Sequence, residues 1–281
     1  MTQHDRALLF HRLHDPAAGS ILVLPNAWDA MSARVVEDAG ARAVATTSAG
    51  VSWSLGRPDG QGLRRDEMLD AVRRIASVVR VPVTADVEGG YGAGTPEDVA
   101  ATARGAIDAG AVGVNVEDAT GRGEGPVLHS IEHQAARIAA ARAAADAAGV
   151  PLFVNARVDV YLFKVGAEET RFDETVRRAR AYVAAGADGV FVPGVSDAPT
   201  IGRLAGAVGA PLNVLAGPGA PTIAELRTLG VARVSVGPWL ARSALAHVRR
   251  AAAELLGAGT YESLRSDVTS AEVNALFPRA E

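Results

Sequence analysis

Two acidic residues follow a short apolar run in the first third of the chain. The segment VPVTADVEGGYG covers residues 81–92 and places Asp86 and Glu88 where a strand would end, just before three glycines. Residues two apart on an extended segment point to the same side. Two carboxylates on one side of a strand end are typical of a site for a hard cation. The alternative is that both acids are solvated loop residues and that the glycines only turn the chain.

Two local patterns alternate along the chain and, with ILVLP at 21–25, predict eight short strands. In one, a helix ends at a glycine and a β-branched run follows, as in DAGARAVAT at 38–46. In the other, a proline begins the run, as in RVPVTAD at 80–86. Helical periodicity marks the segments 66–79, 96–109, 131–148, 170–185 and 240–256. Eight strand–helix units predict an α/β fold of the TIM type, a (β/α)8 barrel with extra N- and C-terminal helices. A doubly wound open sheet is disfavoured, because no glycine-rich dinucleotide loop follows the first strand.

Composition limits the class of protein. Residues 1–281 are predicted to form a single barrel domain, with residues 240–281 as a C-terminal helical extension. The net charge of −4 argues against nucleic acid or an anionic membrane as a partner. The absence of cysteine excludes zinc–thiolate sites, iron–sulfur clusters and a cysteine nucleophile. No stretch reads as a signal peptide or a membrane span, so a cytoplasmic protein is expected.

Acidic side chains collect at the predicted carboxyl ends of neighbouring strands, where such barrels carry their chemistry. Asp86 and Glu88 end strand three, Glu117 ends strand four, and Arg157 ends strand five. Acids that serve solubility alone would not gather at one end of adjacent strands. Because Mg²⁺ and Mn²⁺ prefer oxygen ligands and keep several waters, the three acids are predicted to hold Mg²⁺ (or Mn²⁺). The metal would polarise a carbonyl or stabilise an enolate oxygen.

Other polar residues at this end are candidates for binding and converting a small anionic carboxylate substrate. Arg157 presents a planar fork that suits a carboxylate or phosphoryl group, and its alternative is an ion pair with Asp159 or Glu117. A hydroxyl-rich turn after strand two consists of Thr47, Ser48 and Ala49. It either presents N–H groups to an anion or is an ordinary turn. The long glycine-rich loop at 119–130 is predicted to be a lid rather than a passive surface loop. Its candidate acid, base or charge-clamp residues are Arg122, Glu124 and His129.

Taken together, these segments resemble the isocitrate lyase/phosphoenolpyruvate mutase superfamily over roughly residues 20–245. The matching pieces are PNAWDAMSARVVEDAG, TTSAGVSWSLGRPD, ADVEGGYG, NVEDATG and FVNARVD. The resemblance implies a barrel that is commonly tetrameric, so a homo-oligomer, dimer or tetramer, is expected. It implies a Mg²⁺-bound pyruvate enolate, formed as a C–C or P–C bond is made or broken. It also implies that the turn at 47–49 and Asp59 belong to the substrate site, and that Arg157 binds the substrate anion.

The lid departs from the subtypes of that superfamily. Members that cleave isocitrate or methylisocitrate carry a lid cysteine, whereas Gly125 stands near that place here. The mutases carry a lysine where this chain has Ala119, and the usual Asp-x-Asp has become Asp86-x-Glu88. The sequence therefore predicts a Mg²⁺-dependent lyase that cleaves a C–C bond of a small 2-oxo or 2-hydroxy carboxylate through an enolate. The alternatives are P–C bond chemistry, of the phosphoenolpyruvate mutase or phosphonopyruvate hydrolase type, and a barrel that binds an oxoacid without turnover.

Overall fold

The computed structural model describes residues 1–15, 20–121 and 128–277. In those residues nine parallel strand segments form a barrel with helices around it. The strands are β1 (Leu22–Leu24), β2 (Asn26–Ala27), β3 (Val44–Thr46), β4 (Val83–Asp86), β5 (Gly113–Glu117), β6 (Phe153–Arg157), β7 (Gly189–Val192), β8 (Leu212–Leu215) and β9 (Arg233–Ser235). The helices are α1 (Gln3–Leu13), α2 (Ala30–Asp38), α3 (Ser48–Ser54), α4 (Arg65–Val78), α5 (Pro96–Asp108), α6 (Ile131–Ala148), α7 (Arg171–Ala184), α8 (Ala198–Ala207), α9 (Ile223–Thr228), α10 (Trp239–Gly257) and α11 (Ser270–Ala275). The predicted (β/α)8 barrel with additional terminal helices is confirmed.

The nine segments correspond to the eight predicted strands, because Pro25 divides the first strand into two. In the described part of the chain, β1 pairs with β9 alone and β2 with β3 alone, so the two halves of the first strand join its two neighbours in the barrel. The side chain of Asn26 connects the two sides of this seam. Its amide donates to Thr46 O at 2.8 Å, and its Oδ1 accepts from the backbone N–H groups of Val236 and Gly237, both at 2.8 Å.

Replacing Asn26 with alanine is expected to lower the free energy of unfolding by about 3 kcal/mol. The change leaves two N–H groups and one carbonyl without their partner at a buried position, and each such loss costs roughly 1–3 kcal/mol. Urea unfolding followed by circular dichroism measures this. The matched control is Asn274→Ala on α11, where the amide is exposed and the change should stay within about 0.5 kcal/mol. Equal effects of the two changes would contradict a stabilising role for Asn26.

Helix α1 closes the amino-terminal end of the barrel. Phe10 is fully buried, and its ring meets the ring of Phe153, the first residue of β6, edge to face with 5.5 Å between centroids. Gly113 makes room for this packing, since a Cβ there would lie 2.9 Å from the ring of Phe10. The barrel is therefore closed at this end, and its chemistry must lie at the other.

The last helices leave apolar side chains in solvent. Leu245, Val248 and Leu256 on α10 are exposed, the last by 90%. Exposed apolar side chains of this kind suit association with another copy of the chain, and the expected homo-oligomer stays a prediction. Among the described residues, every helix is too short or too polar to cross a membrane.

Candidate active site

The site is built at the carboxyl ends of β4, β5 and β6, which are neighbours in the barrel. In the parallel register Asp86 lies opposite Asn115, and Glu117 lies opposite Arg157. Residues opposite each other on adjacent strands have neighbouring side chains. The predicted gathering of the acids and the arginine at one end of the barrel is therefore what the fold produces.

Arg157 is held by two carboxylates. Its Nη1 lies 2.7 Å from Glu117 Oε2, and its Nε donates to Asp159 Oδ1, also at 2.7 Å. Burial alone would lower the pKa of Arg157, but Asp159 and Glu117 raise it above its ordinary value, so the guanidinium is charged at all working pH values. The alternative role predicted for Arg157 was an ion pair with Asp159 or Glu117. The structure contains both ion pairs. Asp159 was not among the predicted site residues, although its position two residues after Arg157 was the available signal.

Glu88 is buried in a setting that disfavours its charge. Its Oε1 accepts from the hydroxyl of Tyr91 at 3.2 Å, and its Oε2 accepts from the backbone N–H of Gln61. Burial raises the pKa of Glu88 to about 7, and the neighbouring charges of Asp86 and Asp59 act in the same direction. The predicted substrate-site acid Asp59 therefore lies within electrostatic reach of the predicted metal-site acids. Around pH 7, roughly half of the Glu88 side chains would carry a proton when no cation is present.

The backbone at Glu88 differs from the expectation. Strand β4 ends at Asp86, and Glu88 adopts φ of 51°, in the left-handed region. The idea that Asp86 and Glu88 share one side of an extended strand is therefore wrong in its geometry. A non-glycine residue in this region costs roughly 1–2 kcal/mol, and such conformations are concentrated at functional sites.

The predicted turn at residues 47–49 is the start of helix α3. Thr47 is its N-cap, and Ser48 and Ala49 are buried in its first turn. The backbone N–H of Ser48 donates to Asp86 Oδ2 at 3.1 Å. The residues form the start of a helix rather than an ordinary strand-to-loop turn, and a backbone N–H of this helix start already donates to a carboxylate oxygen.

Only part of the predicted lid belongs to the described residues. Arg122 and Glu124 fall in the segment 122–127, outside them. Ala119 and Leu128 form an antiparallel bridge, so the two ends of the loop meet. His129 lies beyond this bridge, with its ring centroid 4.7 Å from that of His133 on α6.

His129 lies in a cationic environment. Burial lowers its pKa to about 4, and the charges of Arg137, His133 and Arg178 add to this, so the imidazole is neutral at pH 7. Within the described ranges, no hydrogen bond joins the ring to the predicted metal-site acids.

Asp118 connects the segments around the base of the predicted lid, a role that the sequence did not reveal. This fully buried carboxylate accepts from the backbone N–H of Asp159 at 2.9 Å, from the Tyr182 hydroxyl at 2.9 Å and from Arg178 Nη1 at 3.0 Å. Arg178 also donates to the backbone carbonyl of His129 at 2.9 Å. From sequence, Arg178 looks like part of a solvated arginine-rich helix face. Its spacing of four residues from Tyr182, which puts both on one face of α7, was the usable signal.

The predicted Mg²⁺ site consists of acids that suit a hydrated cation. Among the described residues, no group of three acidic or histidine side chains is close enough to hold a metal ion directly. Mg²⁺ usually keeps several waters and contacts one or two carboxylates, so Asp86, Glu88 and Glu117 fit a hydrated ion held partly through water. Burial raises the pKa of Glu117, as it does that of Glu88, and a cation would relieve the cost of both charges. The three metal-site residues stay a prediction.

The fold and the position of these side chains define a TIM-barrel protein with an acidic, arginine-bearing site at the carboxyl ends of its strands. Residues 10–256 match the family model for phosphoenolpyruvate phosphomutase, so the chain belongs to the phosphoenolpyruvate mutase family. The predicted superfamily is confirmed.

The relatives include lyases, mutases and a hydrolase. A Burkholderia cenocepacia J2315 protein, provisionally described as a lyase/mutase, is 42% identical with a TM-score of 0.89, over 97% of this chain and 95% of that one. Oxaloacetate decarboxylase from Bradyrhizobium sp. (strain BTAi1 / ATCC BAA-1182) is 32% identical over 213 residues, 74% of this chain and 70% of its own length. Phosphonopyruvate hydrolase in complex with oxalate and Mg²⁺ is 26% identical with a TM-score of 0.84, over 98% of this chain and 95% of that one. The prediction of an enzyme of the isocitrate lyase/phosphoenolpyruvate mutase superfamily is confirmed.

Proposed function

We propose that the protein is a Mg²⁺-dependent lyase that breaks a carbon–carbon bond of a small 2-oxo or 2-hydroxy carboxylate, leaving a pyruvate-type enolate. The observation that carries the proposal is the pairing of Glu117 with Arg157 across adjacent strand ends, beside the half-buried carboxylate of Asp86 and the buried carboxylate of Glu88. Relatives that decarboxylate oxaloacetate, or that bind oxalate with Mg²⁺, support it. Oxalate has the shape and charge of the enolate of pyruvate.

The residues of the site take distinct roles in this proposal. Arg157 binds the substrate anion, since its planar fork matches a carboxylate and its charge is permanent. The backbone N–H of Ser48, which donates to Asp86 in this structure, would donate to a substrate carboxylate oxygen instead, and Asp86 would then be available to hold the cation. When bound, Mg²⁺ supplies Lewis-acid stabilisation of the developing enolate oxygen. Glu88 and Glu117 hold the cation, directly or through water.

Protonation of the product falls to the lid in this proposal. Cleavage to an enolate needs charge stabilisation first and a proton donor afterwards. The chain has no cysteine for that step. Glu124 and Arg122 are the proposed acid and charge clamp, and His129, which is neutral at pH 7, is the proposed base. P–C bond chemistry remains the second candidate because the matched family model is that of a phosphomutase.

A substrate panel tests the proposed function. Oxaloacetate, 2,3-dimethylmalate, 4-hydroxy-2-oxo acids and phosphonopyruvate are incubated with enzyme and Mg²⁺, and pyruvate is followed with lactate dehydrogenase. We expect pyruvate release from at least one carbon substrate, abolished by a chelator and by Asp86→Asn. That variant also corrects for spontaneous, Mg²⁺-catalysed loss of CO₂ from oxaloacetate.

Three other outcomes of the substrate panel would contradict the proposed carbon–carbon lyase activity. Turnover of phosphonopyruvate alone, seen by phosphorus NMR, would establish P–C chemistry instead. Oxalate binding without turnover of any compound would indicate a binding barrel. If the protein turns over none of these compounds and does not bind oxalate, the proposed function is wrong.

A further inference from the structure

Among the described residues, one buried arginine inside the barrel has no carboxylate within ion-pair distance. Arg233, the first residue of β9, is 1% exposed, and its Nη2 donates to Asn115 Oδ1 at 3.2 Å. Within the described residues, its Nε and Nη1 have no hydrogen-bond partner, and no acid lies within ion-pair distance of it. Burying an unpaired charge costs several kcal/mol in typical proteins. A packing role alone would be met at lower cost by an apolar side chain.

Arg233 is linked through one side chain to the acidic site. Asn115 accepts from Arg233 and, through the same oxygen, from the amide of Asn155 at 2.9 Å. Asn115 is also the register partner of Asp86 on the neighbouring strand β4. The guanidinium thus lies in the barrel interior and contacts Asn115, which is at the same level of the barrel as Asp86.

No described group on the other side of Arg233 cancels its charge. Its guanidinium carbon lies 6.0 Å from the centroid of the Phe10 ring, which is uncharged. His14 lies nearby, and its Nδ1 is 2.8 Å from the carbonyl of Phe10, so this nitrogen carries the proton. Burial lowers the pKa of His14 to about 3, and the charge of Arg233 adds to this, so the ring is neutral at pH 7. Burial also lowers the pKa of Arg233, to about 9, although the charge of Asp86 acts in the opposite direction, so the guanidinium is still protonated at that pH.

We propose that Arg233 is a positioning residue that sets the charge balance of the metal and substrate site from inside the barrel. Its positive charge opposes binding of the cation and favours binding of the anionic substrate. The acidic site is thereby tuned to hold the cation together with a carboxylate rather than the cation alone. This inference rests on the proposed function, since it assumes that the site binds both.

The test compares two binding constants in variants that change the charge or keep it. Arg233→Met removes the charge with little change in length, and Arg233→Lys keeps it. Arg203→Met is the matched control, because it removes an exposed arginine that stacks on Phe172 at the surface. Titration calorimetry measures the Kd of Mg²⁺ alone and then the Kd of oxalate at saturating Mg²⁺. Neither measurement depends on turnover.

Arg233→Met is expected to bind Mg²⁺ about tenfold more tightly and oxalate about tenfold more weakly, the order expected of one charge acting through a protein interior. Arg233→Lys and Arg203→Met should stay within about threefold of the wild type in both constants. Loss of packing alone would weaken both ligands together. If Arg233→Met does not fold, as judged by circular dichroism, Arg233→Gln is measured in its place.

Two failures are distinguishable. Changes of the same sign for Mg²⁺ and oxalate, or no change in either, would overturn the role of Arg233 and leave the proposed function standing. A wild-type protein that binds neither ligand would overturn the proposed function, and the inference with it.

Discussion

Replacing Arg157 with methionine is expected to lower kcat/KM by about 10²–10³-fold on whichever substrate the panel identifies, the usual effect of removing one key charge-stabilising group. The variant loses the fork that binds the substrate anion. It also leaves Glu117 and Asp159, each 2.7 Å from the guanidinium in the wild type, without their shared counter-charge. Steady-state kinetics at saturating Mg²⁺ measure the effect. If the rise in KM is larger than the fall in kcat, the fork acts mainly in binding.

Two further variants separate the charge of Arg157 from its shape and from stability. Arg157→Lys keeps a charge but cannot make two parallel hydrogen bonds, so an intermediate loss is expected. Arg178→Met removes another mostly buried, acid-paired arginine, whose partner Asp118 lies under the lid base. It should lower stability more than it lowers the rate of chemistry. Activity of Arg157→Met within about threefold of the wild type would rule out the proposed role.

The fold was predictable because its signals are local. A helix that ends at a glycine before a β-branched run, or a proline that begins a strand, can be read from a few residues. Thus α6 has the predicted bounds, Ile131–Ala148, and ends at Gly149, whose φ is 67°. The split of the first strand at Pro25 was not predicted, because it depends on which neighbours the two halves pair with. Helix α3 was not predicted because its seven residues are too few to show a helical period.

The site was predictable only where it follows from strand position. Glu117 and Arg157 meet because the register of β5 and β6 places them opposite each other, and a barrel assignment implies this. Arg233 stands in a run, ARVSV, that shows only a short strand, and whether its arginine faces solvent or the barrel interior depends on the closed fold. The left-handed backbone of Glu88 is likewise set by long-range contacts, here with Gln61. Buried polar partners from distant segments leave no periodic mark on a sequence.

Replacing Glu88 with glutamine is expected to stabilise the metal-free protein at pH 8 and to change it little at pH 5. In the folded state burial raises the pKa of Glu88 to about 7, above its ordinary value of 4.5, so the folded protein binds this proton more tightly than the unfolded chain does. Stability therefore falls as the pH rises from the unfolded to the folded pKa, by at most about 3 kcal/mol. Glutamine does not titrate and escapes this loss. Urea unfolding at both pH values, with chelator present, measures the difference.

Glu88→Gln should also bind Mg²⁺ more weakly, because it lacks the negative charge that attracts the cation. Mg²⁺ is expected to stabilise the wild type at pH 8 but to stabilise Glu88→Gln much less, and the proposed Mg²⁺-dependent activity should fall with it. Glu97→Gln, at an exposed carboxylate on α5, is the matched control and should behave as the wild type in both respects. Equal destabilisation of Glu88→Gln at pH 5 and pH 8 would show instead that the hydrogen bonds to Tyr91 and Gln61 outweigh the charge. If the expected pattern is found, the metal-free fold tolerates a buried carboxylate in a disfavoured backbone conformation, as a preorganised cation site requires.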